Sequence, residues 1–299
     1  MRTATKIVMM SSSPALKFTT VGYSATWTPP TITAATLTDV QVKWIRPDGT
    51  SFTGKTPAMT NFSQLGNYQL RIKKWSRVTA FSFAPGGASR NWLSHINLDV
   101  MFPKMTGLLS CALRDMPSLV DIVTTWKLPS SMTSIAAFLQ GCTGLTGVVT
   151  GWVLPTGVTN ISYFLYGCTG LTGVFPTPAA LSVCTSYQDI IKNNLLITGD
   201  VSTWTWRTNI INAAMSNTRL TYGTGQSLRT NVKNVLVFSM ATCNLTQSMV
   251  DAVLVDLDTS AATGLVITLN GTGNAVPSAA GLAAKANILA KGGTVTVNT

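Results

Sequence analysis

Two segments near the start of the chain alternate apolar and polar residues. In "VQVKWIR" (residues 40–46) and "NYQLRIKKW" (residues 67–75), every second residue is apolar and several of the residues between them are basic. The Asp-Gly pair of the "PDGT" that follows the first segment is typical of a tight turn. Alternation with one charged face indicates antiparallel strands buried on one side only. We therefore predict that residues 1–77 form an extended arm and a small β-sandwich-like domain.

A longer pattern repeats in the middle of the chain. The phrase "GCTGLTGV" begins at Gly141 and recurs unchanged at Gly167. Repetition at a fixed period is typical of a stacked structure in which equivalent side chains lie above one another. We predict a leucine-rich-repeat-type solenoid with a period of about 26 over residues 78–243. Its columns are Leu119, Leu145 and Leu171; Cys142 and Cys168; and Trp126, Trp152 and, two steps on, Trp204.

The last part of the chain has helical periodicity. Thr246 is a good N-cap, and the apolar residues that follow it at helical spacing are Val250, Val253, Leu254 and Leu257. Ser278 can cap a second helix, which the Gly-Gly pair after Lys291 would end. The strand-like segments "LVITL" and "TVTV" follow the two helices in turn. We predict that residues 244–299 form a short-helix-containing cap, and that the chain as a whole is mainly β.

Composition and charge narrow the possible partners. The 299 residues are 45% hydrophobic and only 10% charged, with a mean hydropathy of +0.29, which excludes a largely disordered protein. The net charge is +11, and 12 of the 21 basic residues but only 3 of the 10 acidic ones lie in residues 1–104. We predict that Lys43, Arg71 and Lys73 contact an acidic partner surface. The alternative is that these side chains are only solvated.

The residue pattern predicts neither a cofactor, nor a metal site, nor enzymatic activity. The five cysteines include no CxxC pair. His95 is the only histidine, so a catalytic triad or dyad with histidine would have to use it. We expect its imidazole to be packed or at the surface, and not catalytic. Asp251, Asp256 and Asp258 are the densest group of acids. Helical periodicity places them on the outer face of the first C-terminal helix, as solubilising charge and not as a glycosidase pair.

Further motifs have a structural explanation. The "NGTG" after "LVITL" looks like a dinucleotide-binding loop, but Val276 stands where the third glycine would be, so we interpret it as a turn. Asp115 and Asp121 lie in one repeat without a predicted cleft. We expect Cys142 and Cys168 to be free thiols inside the stack. The tryptophan column is either core, which is favoured, or an exposed ridge that could grip sugar rings.

The N-terminal "MRTATKIVMM" has a basic start, but only four consecutive apolar residues (7–10). A secretory signal needs roughly 7–15, and no segment approaches the ~20 apolar residues of a membrane span. We therefore expect neither export by a secretory signal nor insertion into a membrane.

The residues of the repeat resemble a known family. "GWVLPTGVTNISYFLYGCTGLTGV" (residues 151–174) is similar to the BspA-like leucine-rich repeats, whose units carry a Phe, a Gly-Cys step, a Leu and often a Trp. The chain departs from this pattern at Pro178, which replaces Trp, and in the shorter step from Gly199 to Gly223. "NAVPSAAGLAAKANILAKGGTVTVN" (residues 274–298) resembles the last coil of bacteriophage repeat proteins. The N-terminal strands resemble small immunoglobulin-like or PKD-like modules.

These resemblances imply a function in binding. The family is associated with surface adhesion, and such repeats also occur in bacteriophage virions. We therefore expect a non-enzymatic virion structural protein on the exterior of the phage particle, in a tail fibre or another host-facing appendage. Its expected partners are other virion proteins, copies of itself in a homo-oligomer, and a host-surface glycan or protein, but no nucleic acid. Three alternatives stay open: a capsid decoration or head-fibre protein, a bacterial cell-surface adhesin, and a glycan depolymerase.

Overall fold

The computed structural model describes most of the chain from β1 onward. The described residues are 15–20, 31–34, 41–55, 57–72, 78–82, 93–96, 113–122, 128, 132–176, 183–206, 212–224, 228–229, 232–233 and 236–299. They form a mixed α/β structure with several parallel sheets, and two α-helices are described over their full length.

The strands are short, and the helices lie near the C-terminus. The first eight strands are β1 (Ala15–Thr20), β2 (Thr31–Ala34), β3 (Val42–Ile45), β4 (Ser51–Thr53), β5 (Gly66–Ile72), β6 (Val78–Ser82), β7 (Leu93–Ile96) and β8 (Asp121–Ile122). The next six are β9 (Thr146–Val148), β10 (Gly170–Val174), β11 (Ser186–Tyr187), β12 (Ile197–Asp200), β13 (Asn212–Ala214) and β14 (Arg219–Thr221). The remaining elements are β15 (Val237–Ser239), α1 (Gln247–Thr259), β16 (Val266–Thr268), α2 (Ala279–Ala290), β17 (Thr294–Thr296) and the 3-10 helices Met59–Phe62 and Val201–Thr203.

The N-terminal strands form a sheet in the order β4-β3-β5-β1-β7-β8. Val42 and Trp44 of β3 and Tyr68 and Leu70 of β5 are buried, whereas the residues between them are partly exposed. The rings of Trp44 and Phe62 meet edge to face, with centroids 5.4 Å apart. The prediction of strands buried on one side is confirmed.

The pairing changes from antiparallel to parallel at β7. Strand β6 pairs antiparallel with β2, and β7 pairs antiparallel with β1. On its other edge β7 runs parallel to β8, with His95 opposite Asp121. The transition therefore lies beyond the predicted division at residue 77.

From Ser134 onward, one side of the chain forms a continuous parallel ladder. Isolated bridges join Ser134 to Asn160 and Asn160 to Ser186. From Ser186 the ladder continues in the order β11-β13-β15-β16-β17. The successive partners along it are Ser186 and Asn212, Asn212 and Val237, Val237 and Val266, and Val266 and Thr294. The first three steps, from Ser134 to Asn212, are each 26 residues long and so match the repeat of the sequence, whereas the last two are 29 and 28 residues long.

The backbone hydrogen bonds of neighbouring repeats are equivalent. Ala137 N donates to Ser162 O at 2.8 Å, and one repeat later Tyr163 N donates to Gln188 O at 2.8 Å. Other backbone N–H groups nearby also donate to the carbonyl 25 residues later. In the first repeat these bonds join Ile135 to Asn160, Leu139 to Phe164 and Gly141 to Tyr166, and in the next they join Ile161 to Ser186, Leu165 to Ile190 and Gly167 to Lys192. Residues 135–141 and 161–167 form no regular helix, so alternate backbone N–H groups in them find hydrogen-bond acceptors in the next repeat.

A second parallel sheet runs in the order β14-β12-β10-β9. Thr146, at the start of β9, donates its N–H to Val120 O, next to β8, at 3.4 Å. Between the two ladders lies an apolar core. Phe138 and Phe164, one repeat apart, are both fully buried, and their rings stack with centroids 6.3 Å apart.

The two helices begin where the sequence predicts. Thr246 Oγ1 accepts from Met249 N at 3.4 Å, and Ser278 Oγ accepts from Ala280 N at 3.2 Å. Helix α2 packs on α1, and the strands that follow them, β16 and β17, pair in parallel. The predicted order of helix, strand, helix and strand is confirmed. The buried residues of α1 include all four predicted apolar positions: Val250, Val253, Leu254 and Leu257.

Candidate functional site

The N-terminal sheet brings together two of the three predicted anchoring residues. Lys43 on β3 and Arg71 on β5 are directly opposite in the antiparallel register, and both are partly exposed. Arg71 Nη2 also contacts Gln69 Oε1 at 3.3 Å. Strands β3, β4 and β5 contain no acidic residue. Two like charges on opposite strands repel each other, so an external anion would be attracted to this pair. Lys73 lies outside the described residues.

Among the described residues, the acidic residue nearest this pair in sequence is Asp48, in the turn between β3 and β4. Asp48 accepts hydrogen bonds from the Thr50 hydroxyl at 2.6 Å and from Thr50 N at 2.8 Å, and it also accepts from the Gln64 amide. The Thr50 hydroxyl and then the Gln64 amide are the main reasons why the pKa of Asp48 falls from 3.8 to about 2. Arg46 joins the same turn through a bond to Thr50 Oγ1 at 3.2 Å. Asp48 therefore holds the turn together as a carboxylate.

The leucine column lies in the core. Leu119, Leu145 and Leu171 are at most 1% exposed. Each donates its backbone N–H to the carbonyl three residues earlier, at 3.1 to 3.2 Å. Equivalent residues therefore adopt the same local conformation in three successive repeats.

The tryptophan column is core as well. Trp152 and Trp204 are 8% and 2% exposed, so the alternative of an exposed ridge is wrong for both. Trp152 meets Phe164 edge to face at 6.4 Å, and Trp204 lies 5.7 Å from Phe175. The physical reason is that each ends a tight turn, because Trp152 N donates to Val149 O at 3.1 Å and Trp204 N to Val201 O at 3.2 Å, and the turn directs the indole into the core. Trp126 lies outside the described residues.

The cysteine column bonds one repeat to the one before it. Cys142 and Cys168 are buried free thiols, as predicted. Cys142 Sγ donates to Leu113 O and Cys168 Sγ to Leu139 O, both at 2.9 Å. Burial raises the pKa of Cys168 well above its ordinary value of 9.0, which keeps the thiol protonated and able to donate.

Sequence reasoning missed the continuation of this column. Asn194 stands one period after Cys168 and donates from Nδ2 to Leu165 O at 2.7 Å, across the same offset. Further along, Cys243 Sγ donates to Met215 O at 3.4 Å and Asn274 Nδ2 to Met240 O at 2.9 Å, both in an earlier segment. Thr218, which lies between them and Asn194, instead donates to Met215 O three residues before it, at 2.8 Å. After Cys168 the residue type along the column changes to Asn, so no repeated residue marks its continuation. The column satisfies buried carbonyls and is not a reactive site.

A second missed column consists of left-handed backbone positions. Gly141 and Gly167 have φ values of 74° and 72°. A side chain at Gly141 would meet the Asp115 carboxylate of the preceding repeat. The column continues with residues that tolerate this conformation: Asn193 and Asn217 have φ values of 66° and 55°.

The acidic residues of α1 do not form an outer, solvated face. Asp256 is 4% exposed. Its Oδ2 accepts from Tyr222 Oη at 2.7 Å, and its Oδ1 pairs with Arg229 Nη2 at 3.1 Å. Assigning Asp256 to the outer face was therefore wrong. Tyr222 and Arg229 cover the edge of α1 beside its apolar stripe, where Asp256 lies.

The other two acids of α1 contact helix α2. Asp251 Oδ1 accepts from Ser278 N at 2.9 Å. Asp258 accepts from Asn287 Nδ2 and from Lys291 Nζ, both at 2.9 Å. Burial of Asp258 acts to raise its pKa, but these two partners prevail and lower it. All three acids of α1 thus fasten neighbouring segments together.

The remaining candidate residues lie apart from one another. His95 is exposed on β7, with Nδ1 2.8 Å from Ser94 Oγ. Asp115 is exposed and pairs with Arg114 Nε at 3.0 Å. Asp121 is on β8, and its side chain is outside the described part of the structure. No nucleophile–base or paired-carboxylate arrangement is formed by the described side chains of these residues.

The "NGTG" segment is a packed turn. Gly271 N donates to Asn298 Oδ1 at 2.9 Å, so this backbone donor is already satisfied within the chain. A side chain at Gly273 would collide with Asn244, which explains the glycine. Its interpretation as a turn between a strand and a helix fits both contacts.

No family model, curated protein or solved structure matches this chain. Within the described ranges, no helix has the length and apolar character that crossing a membrane requires. The same residues include no cluster of three or more His, Cys, Asp or Glu side chains able to hold a metal ion. The function is therefore argued from the residues of the chain itself.

Proposed function

We propose that the chain is a leucine-rich-repeat-type solenoid with a period of about 26, joined to a small N-terminal β domain. Two parallel ladders and one shared core support this proposal. We also propose three domains, which comprise residues 1–77, 78–243 and 244–299. Strands β6 and β7 belong to the second of these in sequence, but they pair with β2 and β1 of the first. In this arrangement α1 and α2 cover the last coils, as an apolar stack requires.

The protein serves as a non-enzymatic structural component of a bacteriophage virion, in a tail fibre or another host-facing appendage. The virion location rests on the resemblance of the repeats and of residues 274–298 to bacteriophage repeat proteins. The binding role rests on one observation, the equivalent hydrogen bonds that link residues 135–141 to 160–166 and then 161–167 to 186–192. A stack held in this way is rigid, and its outer residues can vary without disturbing the core.

The N-terminal domain attaches the chain to the particle, and the solenoid faces outward. Lys43 and Arg71 are two cross-strand positive charges with no acid on their own or the adjoining strand β4, which suits an acidic surface of another virion protein. The strongly basic first third of the chain adds to this attraction.

Labelling of purified phage particles tests this function. Mass spectrometry should find the chain in particles freed of soluble lysate proteins. Immunogold with an antibody against residues 132–176 should label the tail or an appendage, and particles that lack the chain should adsorb poorly to host cells. Label confined to the head would favour capsid decoration, whereas label on bacterial envelopes without particles would favour an adhesin. Release of reducing sugar from host polysaccharide would instead indicate a depolymerase.

A further inference from the structure

Two tyrosines form a partly exposed aromatic pair on the first parallel ladder. Tyr163 and Tyr166 meet at an interplanar angle of 64°, with ring centroids 6.1 Å apart. Lys192 Nζ lies 5.9 Å from the centroid of Tyr166, and it pairs with Asp189 Oδ1 at 3.4 Å. Aromatic faces and charged hydrogen-bonding groups therefore occur together at one place on the surface.

The four side chains belong to two neighbouring repeats in register. Tyr163 and Asp189 are one period apart in the sequence, as are Tyr166 and Lys192. The repeats are joined directly beside the pair, since Tyr163 N donates to Gln188 O at 2.8 Å. Adjacent strands are ~4.8 Å apart, which is close to the width of one pyranose ring. The two tyrosines of one repeat and the two charged residues of the next are therefore separated by about the width of one sugar ring.

Tyr163 is a bulky residue at a position where the repeat has a left-handed backbone. Tyr163 has a φ of 58°, and its equivalents Ala137 and Asp189 have φ values of 53° and 50°. The repeat therefore requires a left-handed residue at this position. Gly, Asn or Asp adopt that conformation at low cost, whereas a bulky residue there is a genuine outlier. Strained positions of this kind cluster at binding sites.

We propose that Tyr163, Tyr166, Asp189 and Lys192 bind a neutral glycan of the host surface, a proposal that rests on the host-binding function above. The apolar faces of pyranose rings pack on the two tyrosines. The Asp189 carboxylate accepts from sugar hydroxyls, and the Lys192 ammonium donates to them. The charges of Lys192 and Asp189 balance each other, so an uncharged sugar is favoured over an anionic one.

A glycan array of neutral and sulfated oligosaccharides tests the site on the intact chain. We expect binding to neutral glycans and about a tenfold rise in Kd for Tyr166→Ala and for Tyr163→Asn. Tyr163→Asn is the decisive variant, because Asn suits the left-handed backbone and should leave the melting temperature unchanged or higher. Val148→Ala, an exposed apolar change on β9, is the matched control and should bind like the intact chain.

Three results would overturn the site: no binding to any neutral glycan, preference for sulfated glycans, or binding by Tyr166→Ala and Tyr163→Asn that equals binding by the intact chain. A chain that occurs in particles but binds no glycan would leave the proposed function standing and remove the site. A chain that binds neutral glycans through these tyrosines but is absent from particles would leave the glycan site standing and contradict the proposed function.

Discussion

Cys168 donates a hydrogen bond of 2.9 Å from Sγ to the carbonyl oxygen of Leu139, which lies in the preceding repeat. Cys142 makes the same bond to Leu113, and Asn194 makes it to Leu165. A buried carbonyl without a partner is costly. One polar side chain in each of these repeats therefore bonds to the repeat before it.

The first prediction concerns this column. Cys168→Val keeps the volume and apolar character but removes the donor, so we expect the free energy of unfolding to fall by about 1–3 kcal/mol. Cys168→Thr should lose less, because its hydroxyl can replace the thiol as the donor to Leu139 O. Urea unfolding of both variants measures the difference. Equal stability of Cys168→Val and the intact chain would show that the hydrogen bond contributes nothing.

This column also shows how far the sequence predicts the fold. Gly141, Cys142 and their equivalents at 167 and 168 reveal the period because the same residues recur. Asn194 makes the equivalent bond to Leu165 O with a different side chain, so no repeated residue type marks it. What recurs there is a hydrogen bond, which a residue-by-residue comparison does not detect.

The second prediction concerns the buried carboxylate of α1. Asp256→Asn weakens the contacts with Tyr222 and Arg229, and it should lower the free energy of unfolding by about 1.5–3 kcal/mol, the range for hydrogen bonds to charged groups. Asp115→Asn is the same chemical change at an exposed left-handed position and should cost less than about 0.5 kcal/mol. Denaturant unfolding compares them. Equal losses in the two variants would refute the assignment of Asp256 to the interior.

Asp256 was misplaced because helical periodicity identifies only one buried face of a helix. The four apolar positions of α1 were predicted correctly, and the acidic side was assumed to face water. The partners that cover it, Tyr222 and Arg229, lie well before the start of α1 in the sequence. No local pattern predicts such contacts. For the same reason, the pattern could not decide whether Trp152 and Trp204 form core or surface.

The third prediction concerns pH. The folded-state pKa of Asp48 is about 2, below its ordinary value of 3.8. A lowered pKa means that this carboxylate stabilises the folded chain above about pH 4, and that its contribution is lost as the pH falls toward 2. An NMR titration of the Asp48 carboxyl group should give the low value, and Thr50→Ala should raise it because Thr50 supplies the main hydrogen bonds. An Asp48 pKa near 3.8 in the intact chain would contradict the described turn.

The fourth prediction concerns attachment. Lys43→Gln combined with Arg71→Gln should weaken incorporation of the chain into particles, and incorporation of the intact chain should fall as salt rises, because exposed charges are screened over ~8–10 Å near physiological ionic strength. Arg114→Gln, which removes a partly exposed charge in the repeat region, is the control and should incorporate normally. Quantitative mass spectrometry of particles measures the result. Normal incorporation of the double variant, or of a chain that lacks residues 1–77, would reverse the proposed polarity.

The central claim is that the repeat region forms one parallel stack, and engineered disulfides test it most directly. Thr159 N donates to Thr133 O at 2.9 Å, and Thr185 N donates to Thr159 O at 3.1 Å, so these three residues occupy successive repeats. Cysteines at neighbouring positions would have Cα atoms ~4.8 Å apart, within the range of a disulfide, whereas positions two repeats apart would be ~9.6 Å apart and beyond it.

The measurement is peptide mass spectrometry after mild oxidation of two double variants. The account predicts a disulfide in Thr133→Cys with Thr159→Cys, and none in Thr133→Cys with Thr185→Cys. A bond in the second variant, or its absence in the first when the protein is folded, would contradict the parallel stack.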